Sequence, residues 1–252
     1  MLAVQDDDPI WAKLRSIAAR GPRPSAAIVV SAHWVTPSRV ELTANSKPDT
    51  IHDFGGFPRE LYDIRYACPG SPELAARACK LIEGAGQGAI LNGGQGLDHG
   101  AWVPLRMLWP EADVPIVQLS MPVGGGPAEL LRMGKALQAL RDEGVWLIGS
   151  GGAVHNLREL RWNQKYGEGE PWARDFEAWV GSRLAANDIA SLLLFESQGP
   201  RARDAHPTTE HFLPLFFALG ARADGEAADV FHTGIEYATL SLLSAGWGLP
   251  SA

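Results

Sequence analysis

The sequence predicts an α/β fold: a single domain over residues 1–252, with a central, mostly parallel sheet covered by helices. Apolar runs of strand length alternate along the chain with segments whose apolar residues recur at a helical period. The strand-length runs are apolar at nearly every position, as strands covered on both faces by helices must be. The 28 glycines and 18 prolines fall mainly between these segments, where turns are needed.

Taken in order, Ile10, Trp11, Leu14 and Ile17 recur near every 3.6 residues and predict a first helix over residues 9–20. Residues 26–32, Ala-Ala-Ile-Val-Val-Ser-Ala, read as an inner strand. An α/β chain usually has a strand before such a helix. This sequence opens instead on Met1-Leu2-Ala3-Val4-Gln5 and the acidic turn Asp6-Asp7-Asp8, so either the fold starts with a helix or a first strand is missing. Leu74, Ala78, Leu81 and Ile82 mark a second helix, and residues 102–108 a third. A strand follows at 115–120, a helix through Leu130, Met133, Leu137 and Leu140, and a strand at 145–149. Trp172, Phe176, Trp179 and Val180 give another helix, and 212–221, interrupted by Pro214, has the length of a buried one. The polar, glycine-containing stretch 163–171 reads as a surface loop, and residues 230–233 as a late strand.

Composition excludes several function classes. A hydrophobic content of 46% with a net charge of only −7 is that of a folded chain, not a disordered one. The acidic balance argues against a nucleic-acid partner, which calls for clustered Lys and Arg. No apolar run approaches the roughly 20 residues that span a bilayer, and the first residues lack the basic start of a secretory signal. Cys68 and Cys79 form no Cys-x-x-Cys pattern, so neither a disulfide scaffold nor a zinc ribbon is indicated. A soluble, cytoplasmic protein acting on a small molecule is expected, with its oligomeric state open.

Seven histidines carry the remaining signal. His33 directly follows the apolar run ending at Ala32, at the carboxyl edge of an inner strand, where ligands bind in open α/β sheets. His155 lies just past the same edge of another strand, after the turn Gly149-Ser150-Gly151-Gly152, and His99 stands in the turn Gly96-Leu97-Asp98-His99-Gly100. His211 follows Thr208-Thr209-Glu210; either threonine is a good N-cap, which would put Glu210 and His211 in the first turn of a helix. Imidazoles with a carboxylate suit iron, zinc and related divalent metals. For Glu210 a purely helix-stabilising role at an N-terminus is an equal alternative. Scattered histidines are more often structural: His206 is expected to shape the turn before Pro207, and His232 to be structural on its strand.

Other catalytic motifs fail on inspection. A Gly-x-Ser-x-Gly elbow at Ser150 would need glycine at 148, where Ile148 stands. A dinucleotide fingerprint from Gly149 would need glycine at Val154, and no Walker A lysine or His-Glu-x-x-His is present. The glycine loop is expected to be a tight strand-to-helix turn.

Five blocks are distinctive: Ser31-Ala32-His33-Trp34; His52-Asp53-Phe54-Gly55-Gly56-Phe57-Pro58; Leu97-Asp98-His99-Gly100-Ala101-Trp102; Gly149-Ser150-Gly151-Gly152-Ala153-Val154-His155-Asn156-Leu157; and Pro207-Thr208-Thr209-Glu210-His211-Phe212-Leu213-Pro214-Leu215. Together, and in this order, they resemble the DODA-type extradiol ring-cleaving dioxygenases of the class III superfamily that includes the protocatechuate 4,5-dioxygenase catalytic subunit. The resemblance implies an α/β fold, one divalent metal (Fe(II) for activity, Zn(II) as an alternative bound metal), and O₂-dependent opening of a catechol-type ring. Carried over, His33, His155 and His211 are expected metal ligands and His99 the acid/base or substrate-orienting histidine. His155 and Glu210 could exchange roles, since in the protocatechuate branch the corresponding glutamate ligates and the histidine transfers protons. His52, Trp34 and Trp102 are expected at the substrate, with bracing of the loop against Asp53 an equal reading of His52. Family members usually begin with a strand and His-Gly-Ser-Pro, whose histidine is a ligand; this sequence starts at residues that match the segment just after that motif. Two rival readings remain: a metal-poor binding protein of the same fold, and a zinc-dependent hydrolase using a metal-bound water.

Overall fold

The computed structural model describes residues 9–249, so the opening Met1–Asp8, on which the question of a first strand and a leader turned, lies outside the described residues. The chain forms two compact units. The first runs to Ser150 and takes in Pro214–Ala221; the second comprises Gly151–Leu213 and Arg222–Leu249.

In the first unit α1 (Pro9–Ala18) leads into β1 (Ala26–Thr36), β2 (Val40–Thr43), α2 (Pro72–Gly84), β3 (Ala89–Asn92), α3 (His99–Leu108), β4 (Ile116–Pro122), α4 (Pro127–Leu137) and β5 (Val145–Ser150). The second unit holds α5 (Pro171–Ala185) and the short α6 (Ile189–Leu193), α7 (Phe195–Gln198) and α8 (Ala202–Ala205). The chain then contributes α9 (Pro214–Ala221) to the first unit, and ends in the second with β6 (Asp229–His232), β7 (Ile235–Glu236), β8 (Leu240–Ser241) and β9 (Ser244–Gly246).

The fold is α/β, with five strands in the order β3-β2-β4-β1-β5. β1 runs parallel to both β4 and β5, and β2 parallel to β3; only β2 against β4 is antiparallel. Two of the three apolar runs, β1 and β4, are thus inner strands, with Ile28, Val29 and Val30 wholly buried, while the third, β5, lies at the edge of the sheet. β2 and β3 escaped the sequence reading because each is four residues long. Too few positions stand there to show a period, and β3 exposes Ile90 and Leu91.

The helices follow their apolar stripes. α2 starts where Ser71 accepts a hydrogen bond from the Leu74 N–H and Pro72 occupies the first helical position. Of its four marker residues Leu81 is exposed, so the buried stripe is Leu74, Ala75, Ala78 and Ile82. Trp11 of α1 is buried, with the Arg106 guanidinium of α3 lying 5.0 Å from its ring centre.

Two local expectations need correcting. The helix expected after Thr208 and Thr209 begins at Pro214. Residues 207–213 are bends and turns, closed by hydrogen bonds from the Phe212 and Leu213 N–H groups to the Thr209 carbonyl. Proline's missing N–H and fixed φ suit the first helical position, so the helix starts there and Glu210 and His211 precede it. The glycine stretch at 149–152 is also not a turn into a long helix. Gly149 lies within β5, where a Cβ would stand 2.1 Å from the Pro214 carbonyl oxygen, and only a three-residue helical turn, Leu157–Glu159, follows. Among the described residues no helix is long and apolar enough to cross a membrane.

Candidate active site

β1 stops pairing with β5 at Ser31↔Ser150, and its register against β4 slips between Val30 and Val35. His33 sits in this slipped segment, at the carboxyl edge of the central strand, where a bulge turns a side chain out of the regular pleat. Its side chain is 30% exposed, while Trp34 beside it is buried.

α3 delivers the second histidine. Asp98 caps this helix, accepting the Ala101 N–H at 3.0 Å, so His99 is its first residue and not part of a preceding turn. The cap is itself held: the Ser31 hydroxyl donates to Asp98 Oδ1 at 2.7 Å, the Gln118 amide donates to Oδ2, and the Asp98 N–H donates back to Gln118 at 3.2 Å. Burial raises the Asp98 carboxyl above its ordinary pKa, against the opposing hydrogen bonds from Ser31 and Gln118.

The third group is Asp53, from the loop between β2 and α2. That loop is stitched to the start of α3: the Ile51 N–H donates to Leu97, and the Trp102 indole N–H donates to the Ile51 carbonyl at 2.9 Å. Asp53 Oδ1 accepts the His99 backbone N–H at 2.8 Å, while Oδ2 lies 3.0 Å from His99 Nδ1 and 3.6 Å from His33 Nδ1. The two imidazole centres are 3.9 Å apart. Burial pushes the Asp53 carboxyl up, but its bonds to the ring and backbone of His99 outweigh this and hold it below the ordinary carboxylate range. One donor atom from each of His33, Asp53 and His99 falls within 4.8 Å of the others. Two imidazoles with one carboxylate are a donor set that fits a divalent metal such as iron or zinc.

Sequence reasoning found both histidines and named Asp53 only as a brace for His52. The signal was local: an aspartate beside a histidine in a glycine-rich block. What it serves depends on which helix start the loop meets. His52 itself donates from Nε2 to the Ile64 carbonyl at 2.9 Å and so braces the loop on its own far end. Trp102 is wholly buried, and its indole serves the loop. The aromatic side chain packed against His99 is Phe54, edge to face at 5.6 Å, with Tyr62 4.9 Å and Phe57 5.7 Å from it. Ser150, already ruled out as an elbow nucleophile, donates its hydroxyl to the Gly100 carbonyl.

The second unit carries the other expected ligands. His155 and His211 stack with ring centres 3.5 Å apart and planes 4° from parallel. The His155 N–H donates to Ala205 at 3.0 Å, and the His211 carbonyl accepts the Gly152 N–H at 2.8 Å, so the glycine loop and the turn before α9 fix the pair. Glu210 Oε1 lies 3.1 Å from His211 Nδ1 and accepts the Thr208 hydroxyl at 2.8 Å. The hydrogen bond with His211 is the main reason the Glu210 carboxyl falls to about 2. Glu210 is thus placed to orient His211, and Thr208 is its partner, not a helix cap. His206 is buried, with Nε2 donating to the Ala153 carbonyl at 2.9 Å, and His232 lies on β6.

Against known proteins, residues 6–248 match the family model described as the catalytic LigB subunit of aromatic ring-opening dioxygenase. A 4,5-DOPA dioxygenase extradiol of Beta vulgaris is 39% identical over 238 residues, covering 92% of this chain and 87% of the relative. One of Escherichia coli (strain K12) is 41% identical over 229 residues, covering 88% and 82%. The crystal structure of an uncharacterized protein from Escherichia coli K12 superposes with a TM-score of 0.79 at 35% identity, over 96% of this chain and 93% of that one.

Proposed function

The chain belongs to the family of the catalytic LigB subunit of aromatic ring-opening dioxygenase and is an extradiol ring-cleavage dioxygenase; from that premise we propose that it opens a catechol-type ring, DOPA or a related diol, with O₂ and a divalent metal. The observation that carries the metal half is the group His33, Asp53 and His99, whose donor atoms converge at the carboxyl edge of the sheet. His33 is the proposed ligand from this unit. His155 and His211 remain proposed ligands on the strength of the sequence blocks, with Glu210 orienting His211. Iron is the proposed metal for turnover and zinc the alternative occupant. When bound, such an ion supplies Lewis acidity toward the diol oxygens and, for iron, redox chemistry with O₂.

The chain's own residues do the rest. His99, its side chain 12% exposed at the first turn of α3, takes a proton from a ring hydroxyl and later returns one, work suited to an imidazole. Phe54, with Tyr62 and Phe57 behind it, offers an aromatic face beside His99 for the diol ring. Both atoms of O₂ enter the product. The ring bond beside the two hydroxyl-bearing carbons breaks, one of those carbons becomes a carboxylate, and its neighbour outside the diol becomes an aldehyde.

The test is anaerobic loading with Fe(II), followed by mixing with O₂ and a panel of catechols including DOPA. A yellow semialdehyde-type product that forms only with both metal and O₂ is expected. Absence of colour across the panel with metal bound would overturn the reading, and turnover of esters or amides without O₂ would replace it with hydrolysis.

A further inference from the structure

Tyr237 and Ala238 stand side by side in the left-handed region, at φ 49° and 70°, inside the hairpin of β7 and β8. The Thr239 N–H closes their turn on the Glu236 carbonyl at 3.2 Å. Hairpin turns with positive φ at both central residues ordinarily use Asn-Gly or Asp-Gly, because a Cβ is penalised there. A turn built from tyrosine and alanine persists only where its surroundings dictate it, and such strain gathers at functional sites. Here the surroundings are the segment that carries His155. The Tyr237 N–H donates to the Lys165 carbonyl at 3.2 Å, and the Tyr237 carbonyl accepts the Arg161 N–H at 3.0 Å. The Ala238 carbonyl accepts the Glu170 N–H at 2.8 Å. Thr239, fully buried, takes hold of Asn156 twice. Its carbonyl accepts the Asn156 N–H at 3.4 Å, and its hydroxyl donates to the Asn156 carbonyl at 2.8 Å. The Ser241 N–H donates to the Val154 carbonyl at 3.0 Å, and the His155 N–H is spent on Ala205. With the peptides on both sides of His155 tied down, its Cα–Cβ bond is fixed in direction, and its ring lies stacked on His211. We infer that Thr239 is a positioning residue that holds the His155 ring against His211, and that the left-handed turn serves to present it. The positioning stands on geometry; its use in metal binding rests on the function proposed above, in which His155 is a ligand.

Thr239→Val keeps the shape of the side chain and removes the hydroxyl; Thr239→Ser keeps the hydroxyl and is the rescue. Two measurements read the effect. In the metal-free protein, ¹H–¹³C spectra of the imidazole ring protons, assigned by a His155→Gln control, report the stacking. The His155 ring protons of the wild type are expected upfield, displaced by the His211 ring, and His211→Ala should abolish the displacement. Thr239→Val should lose it as well, and Thr239→Ser should retain it. The second measurement is Zn(II) affinity by chelator competition. It should fall roughly 10–100-fold in Thr239→Val, as it does when a ligand loses its outer support elsewhere, and stay within a few-fold of wild type in Thr239→Ser. His155 signals in Thr239→Val that match wild type overturn the inference, whatever happens to the metal. Signals that move while Zn(II) affinity holds would sustain the positioning and defeat the ligand role proposed for His155. Ala238→Gly gives a second test that does not depend on the valine variant folding. Glycine takes positive φ without a Cβ penalty, so the melting temperature should rise by about 2–4 °C with Zn(II) affinity unchanged. A fall in melting temperature would mean that residue 238 is not held left-handed, and would overturn the inference.

Discussion

Gly100 and His33 touch across the start of α3 more closely than any other residue at position 100 would permit. A Cβ on Gly100 would stand 2.8 Å from His33 Cδ2 and 2.3 Å from the Ser31 hydroxyl oxygen. The Ser31 hydroxyl is buried and bonded to Asp98, so it cannot swing aside without uncoupling the helix cap. The absence of a side chain at 100 is therefore what allows α3 to bring His99 alongside His33.

Gly100→Ala tests that contact. On an unobstructed helix the change would stabilise by about 0.5–1 kcal/mol. Here the overlap with Ser31 and His33 should dominate, and the variant should lose about 1–3 kcal/mol, the usual cost of an extra methyl in a packed site. Urea unfolding at equal m-value measures it. A variant as stable as wild type would mean that α3 can shift, and that the His33–His99 spacing is not fixed by this contact.

Asp98→Ala tests the polar support beneath the site. The change removes a helix cap worth about 1 kcal/mol and leaves the buried Ser31 and Gln118 donors without an acceptor, at about 1–3 kcal/mol each. Against this stands relief of a buried carboxylate whose pKa is raised by desolvation. A net loss of about 2–4 kcal/mol is expected, because two stranded donors outweigh one relieved charge. Chemical denaturation gives the number, and a gain in stability would show the buried charge to be the larger effect.

His206 predicts an acid limb in the stability of the protein. It lies among Phe176, Phe195 and Phe212, and burial pushes its pKa down to about 4 from the ordinary 6.5. The folded state refuses a proton that the unfolded chain accepts, so this contribution is intact above pH 6.5. It erodes as pH falls from 6.5 toward 4, by roughly 3 kcal/mol in all. His206→Phe loses the bond to Ala153 and is less stable at neutral pH, yet its stability should fall less steeply over that window. Unfolding free energies of the two proteins at pH 7.5, 5.5 and 4.5 decide it; parallel curves would show that His206 is not the titrating group.

What the sequence made legible divides along physical lines. Strands β1 and β4 were readable because most of their positions are apolar and buried on both faces, β5 because Val145–Ile148 is a continuous apolar run although it is only half-buried at the sheet edge, and the helices because their stripes repeat. β2 and β3 were too short to show a pattern. The start of α9 was misplaced because two threonines looked like caps, whereas Pro214 sets the first turn and Thr208 instead serves Glu210. At the site, His33 and His99 could be placed from their position after a strand and before a helix. Asp53 could not, because its task is defined by a backbone N–H 46 residues away in sequence. Trp102 illustrates the reverse: adjacency to a site histidine suggested contact with substrate, but helical geometry turns its indole inward onto Ile51.

His33 and His52 allow the ligand assignment to be separated from mere proximity. His52 adjoins Asp53 in sequence and His33 approaches it to 3.6 Å, but His52 has its Nε2 bonded to the Ile64 carbonyl, whereas His33 joins the donor group with Asp53 and His99. His33→Ala should therefore weaken Zn(II) or Fe(II) binding by at least the roughly 10–100-fold that loss of a ligand's hydrogen-bond partner costs elsewhere. His52→Ala should leave affinity within a few-fold of wild type and lower stability by about 1 kcal/mol, the worth of one hydrogen bond. Metal titration with an indicator chelator, run beside thermal melts of the metal-free proteins, reads both effects. If His52→Ala loses the metal and His33→Ala keeps it, the donor group at the end of β1 is not the metal centre, and the ion must be sought around the loop that His52 braces.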